Sequence, residues 1–414
     1  MLTIPISWEV HGWTPRSSYT VNEPRPFATC GFAPLKCEPN ALVRQSDQPQ
    51  RYFLLDATRG LAAVSVLLWH YQHFFMTSPG VLPDWFARGE QPLYWLLFPF
   101  YNHGNYAVQL FFSISGFIFF TEYLRPIGGG AVSGWQFFVL RFSRIYPLHF
   151  ITLLVVAMQQ CLAYRWLGKT FVYENNDAYH FMLNIFLGSH WGLENGFSFN
   201  APVWSVSIEA LLYFTFFLVA VTSANHTFLA VGLCAVCGFV GMLTWKTEDS
   251  IGLAMFGFFN GGFAAIFLQK SCSFSSSKAI ILTSSILMFA ASLALAGALF
   301  PQPSWTVALF GAVFPTGVLA MGALQYVRSN AGSSARLLGD ISYSIYLVHF
   351  PIQLLTLLLL RRGFISLDFY RPGTLLLFLL AVTGVSTLTY RLIEVPAKNA
   401  IRRALLHTAL GGSR

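Results

Sequence analysis

Ten apolar runs, at roughly 54–76, 105–123, 135–160, 203–222, 226–245, 250–269, 278–299, 304–327, 341–361 and 373–394, decide what this chain can fold into. Each is long enough to cross a hydrocarbon layer about 30 Å thick as a helix. Backbone groups in lipid find no water, so every crossing segment must satisfy its own hydrogen bonds. The fold is therefore read as all-α, a polytopic integral membrane protein of about ten transmembrane helices. The further apolar stretch AYHFMLNIFLGSH at 178–190 is too short to cross and is expected as a short re-entrant or interfacial helix. Only 10% of the residues are charged, against about 25% in an ordinary soluble protein, and this excludes a water-soluble domain.

Ten crossings put both termini on one side of the bilayer, and the basic residues choose that side. Arg44, Arg51, Arg125, Arg141, Arg144, Lys270, Lys278, Arg328, Arg336, Lys398, Arg402 and Arg403 fall together there. That side is read as cytoplasmic, in an inner (cytoplasmic) membrane. The opposite side mixes Arg88, Arg165, Lys169 and Lys246 with Asp84, Glu90, Glu174, Asp177 and Glu194, and the pair Arg361 and Arg362 is the one feature against this orientation. The net charge of +8 is thus a topology signal. No basic run is interleaved with aromatics, so no nucleic-acid partner is expected.

Residues 1–50 scatter Pro5, Pro15, Pro24, Pro26, Pro34, Pro39 and Pro49 through polar sequence without an apolar period. They read as a disordered tail, with a true start nearer residue 50, and they lack the basic-then-apolar order of a signal peptide. Residues 51–400 form the membrane domain and 401–414 a basic cytoplasmic tail. Cys30 and Cys37 lie in the N-terminal tail, and Cys161, Cys234, Cys237 and Cys272 lie in or beside apolar segments, a scatter with no disulfide framework. Cys234 and Cys237 make a CxxC, but within AVGLCAVCGF the small residues point to close helix packing. No cluster has ligand spacing, so no metal is expected.

An ionised side chain at a membrane centre costs roughly 2.5 to 3.5 kcal/mol even on the lenient insertion scale, so those the runs retain ask for a reason. The first run, LLDATRGLAAVSVLLWHYQHFFM, carries Asp56, Arg59 and His70. From Arg59 to His70 a helix turns about three times, placing both on one face about 16 Å apart. Asp56 lies one turn before Arg59 and is expected to pair with it. Such a stripe suits a ligand anionic at one end and reactive at the other, since Arg grips phosphate as a fork and imidazole takes a proton near neutral pH. The bland alternative is a snorkelling Arg and an interfacial His, and His73 fits that alternative.

Two more constellations follow. In RFSRIYPLHF at 141–150, Arg141 and Arg144 project to one face inside an apolar run, which suits a phosphate and equally suits lipid head groups. In PVWSVSIEALLYF at 202–214, Ser205 and Glu209 share a face, and Glu209 is expected at a depth similar to that of His70. A carboxylate beside an imidazole raises its basicity and fixes its tautomer; a purely structural ion pair is the rival. Ser113 and Ser115 beside Gly116 suit helix packing, and Asn260 and His349 either line a cavity or are satisfied packing residues.

Taken in order, LLDATRGLAAVSVLLWH, FFSISGFIFF, RFSRIYPLHF, VWSVSIEALLYF, LGDISYSIYLVHFPI and YRLIEVPAK resemble the acyltransferase family 3 of membrane O-acyltransferases, over about residues 51 to 400. The resemblance implies transfer of an acyl group, most often acetyl from acetyl-CoA, to a hydroxyl on a carbohydrate, lipid-linked sugar or related cell-envelope or small-molecule acceptor. It implies no permanently bound cofactor. It carries Arg59 and His70 over as essential, adds Arg141 and Arg144 for the donor, and adds Ser205 and Glu209 from the SxxxE helix. The chain departs from the family where the usual LDGLRG is LDATRG and where Ala210 replaces an acid after the glutamate.

The two readings meet in one expectation. Arg59, Arg141 and Arg144 hold the phosphates of acyl-CoA, and the donor's arm runs along the stripe to His70. His70 acts as general base or forms an acyl-imidazole, oriented by Glu209. The rivals are a proton-coupled transporter, which buried Arg, Glu and His also describe, and a structural or flippase partner of an envelope-synthesis complex. A homo-oligomer stays open.

Overall fold

The computed structural model describes residues 51–222, 227–245, 251–275, 277–302 and 304–411. The segment expected as a disordered tail, with Cys30 and Cys37, lies outside them. Among the described residues the chain is helical, with a lone bridge between Ser78 and Val81 as its only extended pairing. The helices used below are α1 Phe53–His70, α2 Tyr94–His103, α3 Ala107–Glu122, α4 Gly134–Leu167, α5 Ala178–Ile185, α6 Trp204–Thr222 and α7 Thr227–Trp245. They continue with α8 Ile251–Phe274, α9 Lys278–Leu299, α10 Ser304–Val327, α11 Ser342–Arg361, α12 Pro372–Thr389 and α13 Val395–Gly411.

Eight of the expected segments are helices long and apolar enough to cross a membrane, so the chain is a multi-pass membrane protein. The other two are helical but fall short of that measure. In α7 the apolar part is the 17-residue stretch Thr227–Leu243. In α3, 16 residues long, Gln109, Ser113, Ser115 and Glu122 dilute the apolar character. Ten of its residues are buried, and a helix walled in by protein needs no lipid-compatible surface. The stretch at 178–190 contains only the eight-residue α5, whose Tyr179 and Met182 point outward while His180 and Asn184 are buried. The basic segment from 401 continues α13 as far as Gly411.

Burial separates centre from rim. In α11 67% of the spanning window is buried, and in α8 61%, against 22% in α9 and 17% in the Pro372–Leu406 stretch. The centre is sealed by small residues where α3 crosses α8. A Cβ added at Gly116 would stand 1.8 Å from the Phe258 carbonyl oxygen, and one at Gly261 would stand 2.0 Å from that of Ser113. Backbone is on both sides of the contact and cannot yield. Gly116→Ala or Gly261→Ala is therefore expected to destabilise the fold by about 1–3 kcal/mol, the usual range for overpacking. The check is a thermal melt of the detergent-solubilised protein, where Gly384→Ala, at a glycine with open space around it, should leave the midpoint in place.

Two local features position the site. Pro351 inside α11 removes the amide that would bond the Leu347 carbonyl, and Asn200 Nδ2 supplies that bond at 3.0 Å. At the His70 end of α1, the loop from Gly168 to Val203 forms a roof. The Gly80 amide donates to the Val172 carbonyl at 3.0 Å, Lys169 Nζ to that of Thr77 at 3.0 Å, and the Phe199 amide to Asn176 Oδ1 at 2.7 Å. Asp177 caps α5 there, and the backbone N–H of His180, followed by its imidazole, holds the Asp177 carboxyl below its ordinary range.

Candidate functional site

α11 crosses beside α1 and turns toward it a stripe absent from the sequence reading except at one position. Ser342, Tyr346, His349 and Gln353 recur at the spacing of one helical face. Gln353 Nε2 donates to the His70 carbonyl at 2.9 Å, and His70 Nδ1 stands 3.0 Å from His349 Nε2. The two ring planes lie 12° from parallel, with centroids 5.1 Å apart.

The partners assign the protons on this pair. His349 Nδ1 lies 3.2 Å from the Ile345 carbonyl, which only accepts, so Nδ1 carries the hydrogen and His349 Nε2 is the acceptor. His70 Nδ1 must then be the donor, and its lone pair resides on Nε2. The tautomer of His70 is thus set by another histidine. His73 is not the interfacial residue expected, because it is 3% exposed and its ring centroid lies 4.7 Å from that of His70, enclosed by Tyr173 and Phe350.

Glu209, expected beside His70, is elsewhere. Its Oε1 accepts from Ser115 Oγ at 3.1 Å and from Tyr213 OH at 2.7 Å, and its charged neighbours are Arg59 and Arg144. Ser205, one turn earlier on α6, goes the other way and meets Tyr346 OH at 2.7 Å. Tyr346 OH donates to the Pro202 carbonyl, so Ser205 is the donor to Tyr346. The Tyr346 ring lies 6.1 Å from that of His349. Ser205 thus belongs to the imidazole end and Glu209 to the arginine end. The cavity between them is lined by Arg59, Phe111, Ser115, Ser205, Glu209, Ser342, Tyr343 and Tyr346.

The arginines also sort differently from expectation. Asp56 pairs with Arg51 at 2.8 Å, and Arg51 also pairs with Asp340, so Arg59 does not have Asp56 as its close partner. Among the described residues neither Arg59 nor Arg144 makes a hydrogen bond or close ion pair of its own. Arg141 is otherwise engaged. It donates to Tyr123 OH at 2.5 Å and is boxed by the rings of Phe119, Tyr123 and Tyr213 at 5.0, 4.6 and 5.9 Å, leaving its buried Nε without a partner. Glu394, on a π-helical turn at Tyr390–Glu394, accepts from Ser344 Oγ at 3.0 Å and faces Arg144. Sequence reasoning missed this carboxylate, although an extra residue in a helix commonly marks a functional site.

The lesser candidates resolve as packing. Asn260 Nδ2 donates to the Phe256 carbonyl of its own helix at 2.8 Å, and Ser113 Oγ to the Gly257 carbonyl across the α3–α8 contact at 3.2 Å. Cys234 and Cys237 are both free thiols. Among the described residues no group of three His, Cys, Asp or Glu side chains forms a candidate metal site.

What remains is a polar seam through an apolar bundle, with Arg59 and Arg144 beside Glu209 and Glu394 at one end and the His70–His349 pair at the other. Comparison with known proteins bears on it. The acyltransferase domain family matches residues 53–391. A curated protein described as "Protein 2 in picA locus", from Rhizobium radiobacter, is 31% identical over 109 residues, which cover 26% of this chain and 46% of that protein. The chain therefore spans less than half of that relative's length. No solved structure matches the chain.

Proposed function

Since the chain belongs to acyltransferase family 3 by its match over residues 53–391, we propose that it is a membrane-bound O-acyltransferase of the inner membrane with cytoplasmic termini. It takes an acyl group, most often acetyl, from acyl-CoA to a hydroxyl of a carbohydrate or another cell-envelope or small-molecule acceptor. The observation that carries this reading is the seam itself. Arg59 and Arg144 have no anionic partner of their own at hydrogen-bonding distance, and about three helical turns along α1 from Arg59 His70 presents Nε2 as a base.

In this mechanism Arg59 and Arg144 grip the donor phosphates as charged forks. Glu209 and Glu394 offset part of that charge from beyond hydrogen-bonding distance, and Arg141 adds its charge from behind its aromatic box. The pantetheine arm runs from the arginine end toward the imidazole end and brings the thioester to His70. As the acceptor oxygen attacks the thioester carbon, its proton passes to His70 Nε2. The C–S bond then breaks, and the imidazolium returns the proton to the departing sulfur. His349 holds the competent tautomer throughout, and Ser205 fixes Tyr346 beneath His349.

The test is turnover of radiolabelled acetyl-CoA by the purified protein in lipid, by transfer or hydrolysis. Arg144→Ala is expected to raise KM for acetyl-CoA by about 10-fold or more with a smaller change in kcat, because it removes ground-state binding of phosphate. Flux of a solute across vesicles without consumption of acyl-CoA would instead favour a proton-coupled carrier.

A further inference from the structure

We infer that Lys398 and Arg402 on α13 form the subsite for the 3′-phosphate of the donor, an inference that rests on the acyl-CoA reading above. α13 packs along the start of α4 and is fixed there in register. Arg402 donates from Nε to Ser143 Oγ at 3.1 Å and from Nη2 to the Leu140 carbonyl at 3.3 Å, and Trp135 Nε1 donates to the Leu405 carbonyl at 3.2 Å. Lys398, one turn earlier, is thereby brought among Arg144, Arg402, Glu394 and Asp340. Its ammonium, half-buried, has no hydrogen bond or close ion pair among the described residues.

The charges around it do not balance. Arg51, Arg59, Arg141, Arg144, Lys398 and Arg402 share Asp56, Glu122, Glu209, Asp340 and Glu394, and both Asp56 and Asp340 are bonded to Arg51, so Arg59, Arg144 and Lys398 are left without a close ion pair among the described residues. Cations partly withdrawn from water need compensating charge, and a bound polyanion supplies it. The cations also stand in two tiers. Leu140 and Ser143 precede Arg144 on α4, so Arg402, bonded to them, lies nearer the start of the helix, while Arg144 and Arg59 lie deeper beside Glu209. Coenzyme A has the matching order from its thioester outward: pantetheine, pyrophosphate, then a ribose bearing a separate 3′-phosphate. The inner tier takes the pyrophosphate, and the outer tier takes the 3′-phosphate. Lipid head groups offer the same phosphate chemistry, so the test separates the two sources.

The full-length protein in lipid is assayed with acetyl-CoA and with acetyl-3′-dephospho-CoA. Wild type is expected to show a KM roughly tenfold higher for the dephospho donor, the change given by one charge-assisted hydrogen bond. Lys398→Ala should raise KM for acetyl-CoA about tenfold, to the dephospho value, and leave the dephospho KM within about twofold; Lys398→Arg should keep the preference. An unchanged KM for acetyl-CoA in Lys398→Ala would assign the lysine to lipid and overturn the proposal, as would an equal rise with both donors. On wild type alone, adenosine 3′,5′-bisphosphate should compete at least about tenfold better than adenosine 5′-monophosphate, and equal inhibition would also overturn it. Absence of turnover with either donor would refute the acyl-CoA reading itself, an outcome distinct from loss of the 3′-phosphate preference.

Discussion

His70→Ala is expected to lower kcat for acyl transfer by about 10³-fold or more while KM for the donor stays near its wild-type value. A positioned general base supplies about 10² to 10⁴ in rate, and loss of a nucleophile costs at least as much. In the proposed mechanism the donor's phosphates bind Arg59 and Arg144, and Arg59 lies about 16 Å from His70 along α1, so donor binding has no reason to change. Truncation also leaves His349 Nε2 without its donor and opens space in a 6% exposed site. A thermal melt must therefore accompany the assay, and His70→Gln, which keeps most of the volume, should lose kcat equally while melting closer to wild type. Near-normal transfer by folded His70→Ala in a background free of other acyltransferases would remove His70 from the chemistry.

The spans were legible because lipid and length together leave one solution, and an apolar run of about 20 residues announces it. Where the count blurs, α3 is sheltered by other helices and need not be apolar all round, whereas α7 is apolar and largely outward-facing but its apolar stretch is only 17 residues long. The Arg59–His70 stripe was legible because both residues share one helix, so helical rise alone fixes their separation. The pairing of His70 with Glu209 was not. It required the depths of two helices to be matched by counting residues from their ends, and α6 begins only after the roof loop that ends at Val203. Glu209 consequently falls to the arginine end. His349 was visible as a lone polar residue, and the periodic partners Ser342, Tyr346 and Gln353 were there to be read with it. Arg51 shows the opposite limit. Its bond to Asp340 joins residues 289 apart in the chain, and no local pattern announces it.

The histidine pair gives the second large effect. His349→Phe keeps an aromatic ring against His70 but removes the acceptor of its Nδ1–H. A buried donor left unpaired costs about 1–3 kcal/mol, so His70 will favour the other tautomer, with hydrogen on Nε2 and no lone pair toward the acceptor hydroxyl. That preference depletes the competent base by about 5- to 150-fold, and kcat should fall by the same factor with KM for the donor unchanged. His349→Gln puts a carbonyl oxygen within reach of the same hydrogen and is expected to recover most of the loss. A packing role predicts a different pattern: both substitutions would lower the melting temperature and activity together, and glutamine, the poorer fit beside the His70 ring, would be the worse of the two. A rise in KM with kcat intact would instead place His349 on the donor's path. The separation of kcat from KM, together with rescue by glutamine, therefore decides whether His349 acts through the proton on His70.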